Sequence, residues 1–305
     1  MKRSGAAVGS ERVAQEAAQA YLQAGGDAVG AVVCGFFAAA GQAPGVLLGP
    51  LGLIVAQVGV GVRAFDGRQR QPGLELRRQR GLGPDESAPL AARAAAPGSI
   101  AALLVALRYG QTMSVPKVLA AGLALAKQAG AERRTEVLDQ IARLGASALS
   151  APGIARELIH VAGPSEGGAL TIADLAATPD VDQPARAAGT KRLAPWAEER
   201  LETKQASAED WEAQAARQQG LCACDARGGL AALCYDDATT GLQVEALELL
   251  LPLNAALPRR GLPRVAPGRF LPAPTPISIE LSEQGLPAAA SVALAGRAPL
   301  SVYLP

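Results

Sequence analysis

With 305 residues, the chain can bury a sizeable core as one large domain or two small ones. Apolar residues make up 49% of it but aromatic residues only 3%, so the interior is packed mainly with Ala, Leu and Val rather than built around an aromatic-lined pocket. Lys plus Arg (29) nearly balance Asp plus Glu (28), and the lack of a net field argues against nucleic acid or an anionic membrane as partner.

The start, Met-Lys-Arg-Ser-Gly, is basic, but Glu11, Arg12, Gln15 and Glu16 follow and are too polar for the core of a signal peptide. Residues 10–24 carry Ala and Leu at helical spacing, with Ser10 as the expected N-cap and Gly25-Gly26 as the stop. Residues 27–40 are nearly all apolar and read as a buried helix. The apolar stretches 28–40 and 46–62 are broken by glycines, Pro44 and Pro50, so neither is a membrane span, and a soluble cytoplasmic protein is expected. Residues 52–65 are β-branched and Gly-rich and suggest two strands. The stretch 66–99 reads as a loop, and its basic run Arg77, Arg78, Arg80 as solvated.

Helices are predicted over 99–108, 115–130 from Pro116, 132–149 and 171–176. Residues 177–218 are polar, hold Trp196 and Trp211, and read as linker plus exposed helix. Strands are predicted over 221–235, 242–253 and 276–281. The order implies an α/β or α+β layered fold.

Four cysteines, Cys34, Cys222, Cys224 and Cys234, are too few and too dispersed for a disulfide framework. Cys222 and Cys224 share one face of a strand. With His160 the single histidine, no metal site and no cofactor are expected. His160 reads as a helix-end cap or surface residue, and Asp236-Asp237 with Thr239-Thr240-Gly241 as a turn.

Several phrases go further. Residues 11–33, with Gly25-Gly26-Asp27-Ala28-Val29-Gly30-Ala31, are followed by Gly49-Pro50-Leu51-Gly52 and by Asp66-Gly67-Arg68-Gln69-Arg70-Gln71-Pro72. Then come Pro97-Gly98-Ser99 with its helix and Tyr109-Gly110, Gly167-Gly168-Ala169-Leu170-Thr171-Ile172-Ala173-Asp174-Leu175, and Cys224-Asp225-Ala226-Arg227-Gly228-Gly229. Val265-Ala266-Pro267-Gly268-Arg269 precedes Thr275-Pro276-Ile277. In this order they resemble the gamma-glutamyltranspeptidase family of N-terminal-nucleophile hydrolases. The resemblance implies an α+β fold, a four-layer αββα sandwich in truncated form. Residues 1–176 would correspond to the large-subunit part, 177–217 to linker and exposed helix, and 218–305 to the small-subunit part, together one globular domain.

Enzymes of this family cut their own chain before a Thr, whose hydroxyl then attacks an acyl group. Counted back from Asp225, the equivalent positions are Gln218, Gln219 and Gly220. Glutamine is no nucleophile, so loss of self-cleavage is implied; Cys222, four residues later, is the displaced alternative. A family Asn falls at Ala238, and the motif holding the substrate amino group survives only as Asn254. The paired serines fall at Pro272 and Ala273, and the oxyanion-hole glycines at Ala295-Gly296. Arg68 matches the arginine that clamps the substrate carboxylate; a surface Arg in an Arg-rich loop is the other reading of it.

The segment after Gly168 is shorter than in the enzymes, and most of their C-terminal region has no counterpart. Open sheet edges and apolar faces would follow, covered by a protein partner or self-association. Three functions stay open: a non-catalytic binding or structural subunit, an amidohydrolase or acyltransferase acting through Cys222, and a sensor of small carboxylates through Arg68.

Overall fold

The computed structural model describes residues 5–57, 59–77, 81–83, 85–110, 114–197 and 208–304. Residues 1–4 of the basic start, Arg78 and Arg80 of the basic run, and 198–207 of the expected linker lie outside them.

Strand β1 (Ala6–Gly9) leads into helix α1 (Arg12–Gln23). The N-cap is Glu11, not Ser10, and its side chain makes no capping bond. The Ser10 hydroxyl is used elsewhere: it donates to Gln219 Oε1 at 2.7 Å and accepts from the Gly220 amide at 2.9 Å. At the other end, Gly25 adopts φ +83°. Its N–H reaches Leu22 O at 2.9 Å and the Gly26 N–H reaches Tyr21 O at 3.0 Å, the paired bonds of a Schellman stop. Asp27 then caps helix α2 (Ala28–Gln42), accepting from the Gly30 amide at 2.8 Å. From Ala28 to Gly41 every residue of α2 is buried.

The hairpin β2 (Leu51–Gln57) and β3 (Gly61–Gly67) follows. Helices α3 (Ser99–Ala106), α4 (Val115–Gln128), α5 (Glu132–Leu144), α6 (Pro152–Ala162) and α7 (Ile172–Ala176) come next, with Pro116 in the first turn of α4. Thr171 and Asp174 cap α7 reciprocally. Among the described residues, no helix is long and apolar enough to cross a membrane.

The stretch expected to be linker and exposed helix does more than connect. It contributes β4 (Asp182–Pro184), β5 (Arg186–Ala188), β6 (Lys191–Leu193) and helix α8 (Ala208–Arg217). β4 extends one sheet, β5 and β6 belong to the other, and Trp196 is fully buried. The remaining strands are β7 (Gln218–Cys224), β8 (Leu230–Asp236), β9 (Leu242–Val244), β10 (Leu249–Leu251), β11 (Ile277–Leu281), β12 (Pro287–Val292) and β13 (Leu300–Tyr303).

Two antiparallel sheets result, ordered β1-β7-β8-β2-β3-β4 and β13-β12-β11-β6-β5, with β9-β10 as a separate ribbon. Side-chain alternation in the first sheet divides the core in two. Leu221, Leu233, Leu53 and Phe65 face the helices α1 to α7. Cys222, Cys234, Ile54 and Ala64 face the second sheet, where they meet Ile277, Ile279, Val292 and Trp196. The layers are therefore helices, sheet, sheet. On the outer side of the second sheet, Ser291 and Ser301 share a hydrogen bond of 2.9 Å.

Candidate functional site

The first sheet gathers the singled-out positions at one end. Gln218 opens β7 and is paired with Asp236, which closes β8. The Asp236 amide donates to Pro50 O at 3.0 Å, immediately before β2. Leu51 in turn pairs with Gly67, so Arg68 leaves β3 at the same end. Three strand spacings, roughly 14 Å, separate Gln218 from Arg68.

Gln218 is 3% exposed. Its Nε2 donates to the Pro274 carbonyl, and its Oε1 accepts from the Cys234 thiol at 3.1 Å. The segment 272–275 thus lies over the head of β7. Beside it, Thr275 packs so closely on Gly52 that a Cβ added there would sit 2.8 Å from Thr275 Cγ2. Ala273 is buried and Pro272 half-buried. Where a hydroxyl nucleophile would need an open approach, a carboxamide is held on both sides by the protein. Helix α8 runs into β7 without an intervening residue.

Next to Gln218 stands an ion pair that the sequence did not reveal. Arg217 Nε and Nη2 each lie 3.2 Å from the two oxygens of Asp236. Asp236 was expected in a turn, but it is the fully buried last residue of β8. Burial pushes its carboxyl above the usual aspartate range, against the opposing pull of Arg217. An acid ending an apolar strand, with an Arg ending the preceding helix, was the available signal.

Cys222 lies between the sheets with its thiol 3.6 Å from Leu300 O. Burial pushes its pKa up to about 12, so it is a thiol and not a thiolate at neutral pH. Ala238 is buried with its backbone against Gly45. Ala295 and Gly296 occupy an exposed turn between β12 and β13, where Gly296 takes φ +67°. Arg297 reaches from this turn to Gln219 Oε1 at 3.3 Å.

Arg68 is not a surface residue: its side chain is 3% exposed. Its Nε and Nη2 grip Asp66 at 3.0 and 2.9 Å, and its guanidinium lies 5.4 Å from the Trp196 ring and 5.6 Å from the Phe270 ring. The surrounding stretch, expected as a surface loop, is core structure here, with Asp66, Gln69 and Arg70 also buried. Asn254 Nδ2 donates to Gln69 Oε1 at 2.6 Å, while the side chain of Gln71 bonds the backbone of Ala256 in both directions. Asn254 therefore pairs with the glutamine next to the clamp position. His160 is exposed on the last turn of α6, and Arg77 is exposed. Among the described residues, no group of three or more His, Cys, Asp or Glu side chains is arranged to hold a metal ion.

No protein-family model matches the chain, and no curated protein matches it. Among solved structures it is similar to that of LmbA2991HD, with 17% identity over 94% of this chain and 78% of the other and a TM-score of 0.69. It is also similar to the cephalosporin acylase from Bacillus halodurans, with 13% identity over 95% and 77% and a TM-score of 0.66. The gamma-glutamyltranspeptidase of Helicobacter pylori gives a weaker likeness, TM-score 0.48 over 61% of this chain and 67% of that one at 20% identity, which carries no weight. Identities this low carry fold and not activity: the chain has the α+β fold of the N-terminal-nucleophile hydrolases.

Proposed function

We propose that this protein is a non-catalytic relative of the gamma-glutamyltranspeptidases that acts by binding, as a subunit or scaffold beside another protein or a second copy of itself. The observation that carries this reading is Gln218. The residue at the head of β7 has no hydroxyl or thiol, and its carboxamide is already engaged by Pro274 and Cys234. The displaced-nucleophile alternative has less support, because burial withholds the Cys222 thiolate at neutral pH. A carboxylate sensor at Arg68 is also disfavoured, since Asp66 holds its Nε–Nη2 edge and the side chain is only 3% exposed. Four buried, unpaired cysteines suit a reducing compartment, which supports a cytoplasmic location.

Intact-mass measurement with an assay on a gamma-glutamyl anilide tests the loss of chemistry. The expected result is one species near 30.9 kDa and no turnover. Two fragments, the second beginning with Cys, Ser or Thr, together with turnover would overturn it. Light scattering and a native pull-down test the binding role. A chain that stays monomeric and retains no partner speaks against it.

A further inference from the structure

Arg70 stands two residues beyond Arg68 and has a different environment. Its backbone exchanges two hydrogen bonds of 2.9 Å with Ala96, which fixes the strand-like segment from which the side chain departs. The side chain is 4% exposed. Nη2 donates to the Asp174 carbonyl at 2.8 Å, whereas the buried Nε has no partner. The Asp174 carboxylate is occupied otherwise, accepting from the amides of Gly73 and Leu74 at 2.9 and 3.1 Å and from the Thr171 hydroxyl at 2.8 Å. Among the described residues, no carboxylate lies within ion-pair distance of Arg70. Leaving a guanidinium so buried and so sparsely bonded costs free energy that a bound anion would recover.

Arg70 lines a cavity of about 230 Å³ that also reaches Gly98, the N-cap of α3. No side chain caps that helix, so the amides of its first turn add positive potential at the same place. Gly98 is required there because a Cβ would collide with the Arg68 carbonyl. The other walls are mostly apolar, from Ile100, Ala101, Leu149 and Leu175.

We infer that this cavity binds a small monocarboxylate with a short hydrocarbon tail. One guanidinium and one helix end compensate one negative charge. A phosphate dianion would leave charge unmatched above the nearby Asp174 carboxylate. The apolar walls take the tail, and the space exceeds the roughly 150 Å³ that accommodates a benzene ring. The site is separate from the head of β7 and does not depend on whether the chain is catalytic.

Calorimetric titration of the full chain with hexanoate and with benzoate, and separately with inorganic phosphate, tests the inference. Saturable binding of at least one of the acids is expected, with phosphate weaker. Arg70→Gln should weaken acid binding by about tenfold or more, as befits loss of a charge-assisted bond. Should that variant not fold, Ala101→Leu fills the cavity while keeping Arg70; it should abolish acid binding with an unchanged circular dichroism spectrum. No saturable acid binding by the parent, tighter binding of phosphate, or binding indifferent to both substitutions would each overturn it.

Discussion

Arg68 and Asp66, two residues apart in the chain, close a buried ion pair in which Nε lies 3.0 Å from Oδ1 and Nη2 2.9 Å from Oδ2. The Arg68 amide also donates to Oδ1 at 3.1 Å, so the pair fixes the exit of β3 as well as the side chain. Removing one member of a buried pair is costly because the other charge stays behind. Asp66→Asn is therefore expected to destabilise the fold by about 3 kcal/mol, seen as a lower urea midpoint with unchanged slope. Adding Arg68→Met should recover part of that loss. If Asp66→Asn leaves the midpoint unchanged, the pair does not hold the turn in the way its geometry implies.

The same pair shows what was legible in the sequence. The phrases that carried the family resemblance turn out to be contacts between distant parts of the scaffold. Asp225, in the turn after β7, accepts from the Ala28 amide at 3.0 Å at the start of α2, and Asp174 accepts from Gly73 and Leu74. Their residue types are dictated by local geometry, so the pattern could be read without coordinates. The surroundings of Arg68 could not, because Trp196 comes from a segment whose polar composition suggested exposure and Phe270 from a Pro-rich stretch with no periodicity to place it. Strand β12 escaped for a different reason: its Pro, Ala and Ser residues carry little β-propensity, and pairing with β11 on one side and β13 on the other decides its conformation. At the site, the sequence could name Gln218 but not the Pro274 carbonyl that occupies it.

Helices α2 and α4 touch through Gly41 and Gly122. A Cβ at Gly41 would overlap the Gly122 carbonyl, and one at Gly122 would overlap that of Phe37; both obstacles are backbone. Neither helix can move away without opening the core around Phe37 and Leu119. Gly41→Ala is expected to cost about 3 kcal/mol despite the helix propensity gained, a deficit measurable by urea unfolding. A neutral or stabilised variant would mean that the helices separate more easily than their packing suggests.

All four thiols are buried, and burial raises the pKa of Cys34 to about 11 and of Cys222 to about 12. Cys234 is also pushed well up by burial and donates to Gln218. The native protein should thus release almost no thionitrobenzoate from Ellman's reagent at pH 8, and all four equivalents only in denaturant. Rapid labelling of one native thiol, mapped to Cys222, would revive it as a nucleophile.

Asp236 and Asp237 are adjacent, and burial raises the pKa of both, that of Asp236 against the pull of Arg217. Asp237 is half-buried, and burial is the sole cause of its shift. With the folded pKa above the unfolded value, the folded state holds the proton more tightly. Stability therefore falls as pH rises through that window, and the cost is fully present at neutral pH. Asp237→Asn should raise stability at pH 7 by less than about 1 kcal/mol, since solvent screens the group, and the gain should vanish below the usual aspartate range. Asp236→Asn should likewise raise stability at pH 7, because the shift is upward even with Arg217 pulling against it, and the Arg217 side chain left behind is 27% exposed and returns to solvent. Urea midpoints of both variants at pH 7 and at pH 3.5 check these outcomes; a loss in either variant at pH 7, or a gain that grows on acidification, would contradict the assigned cause.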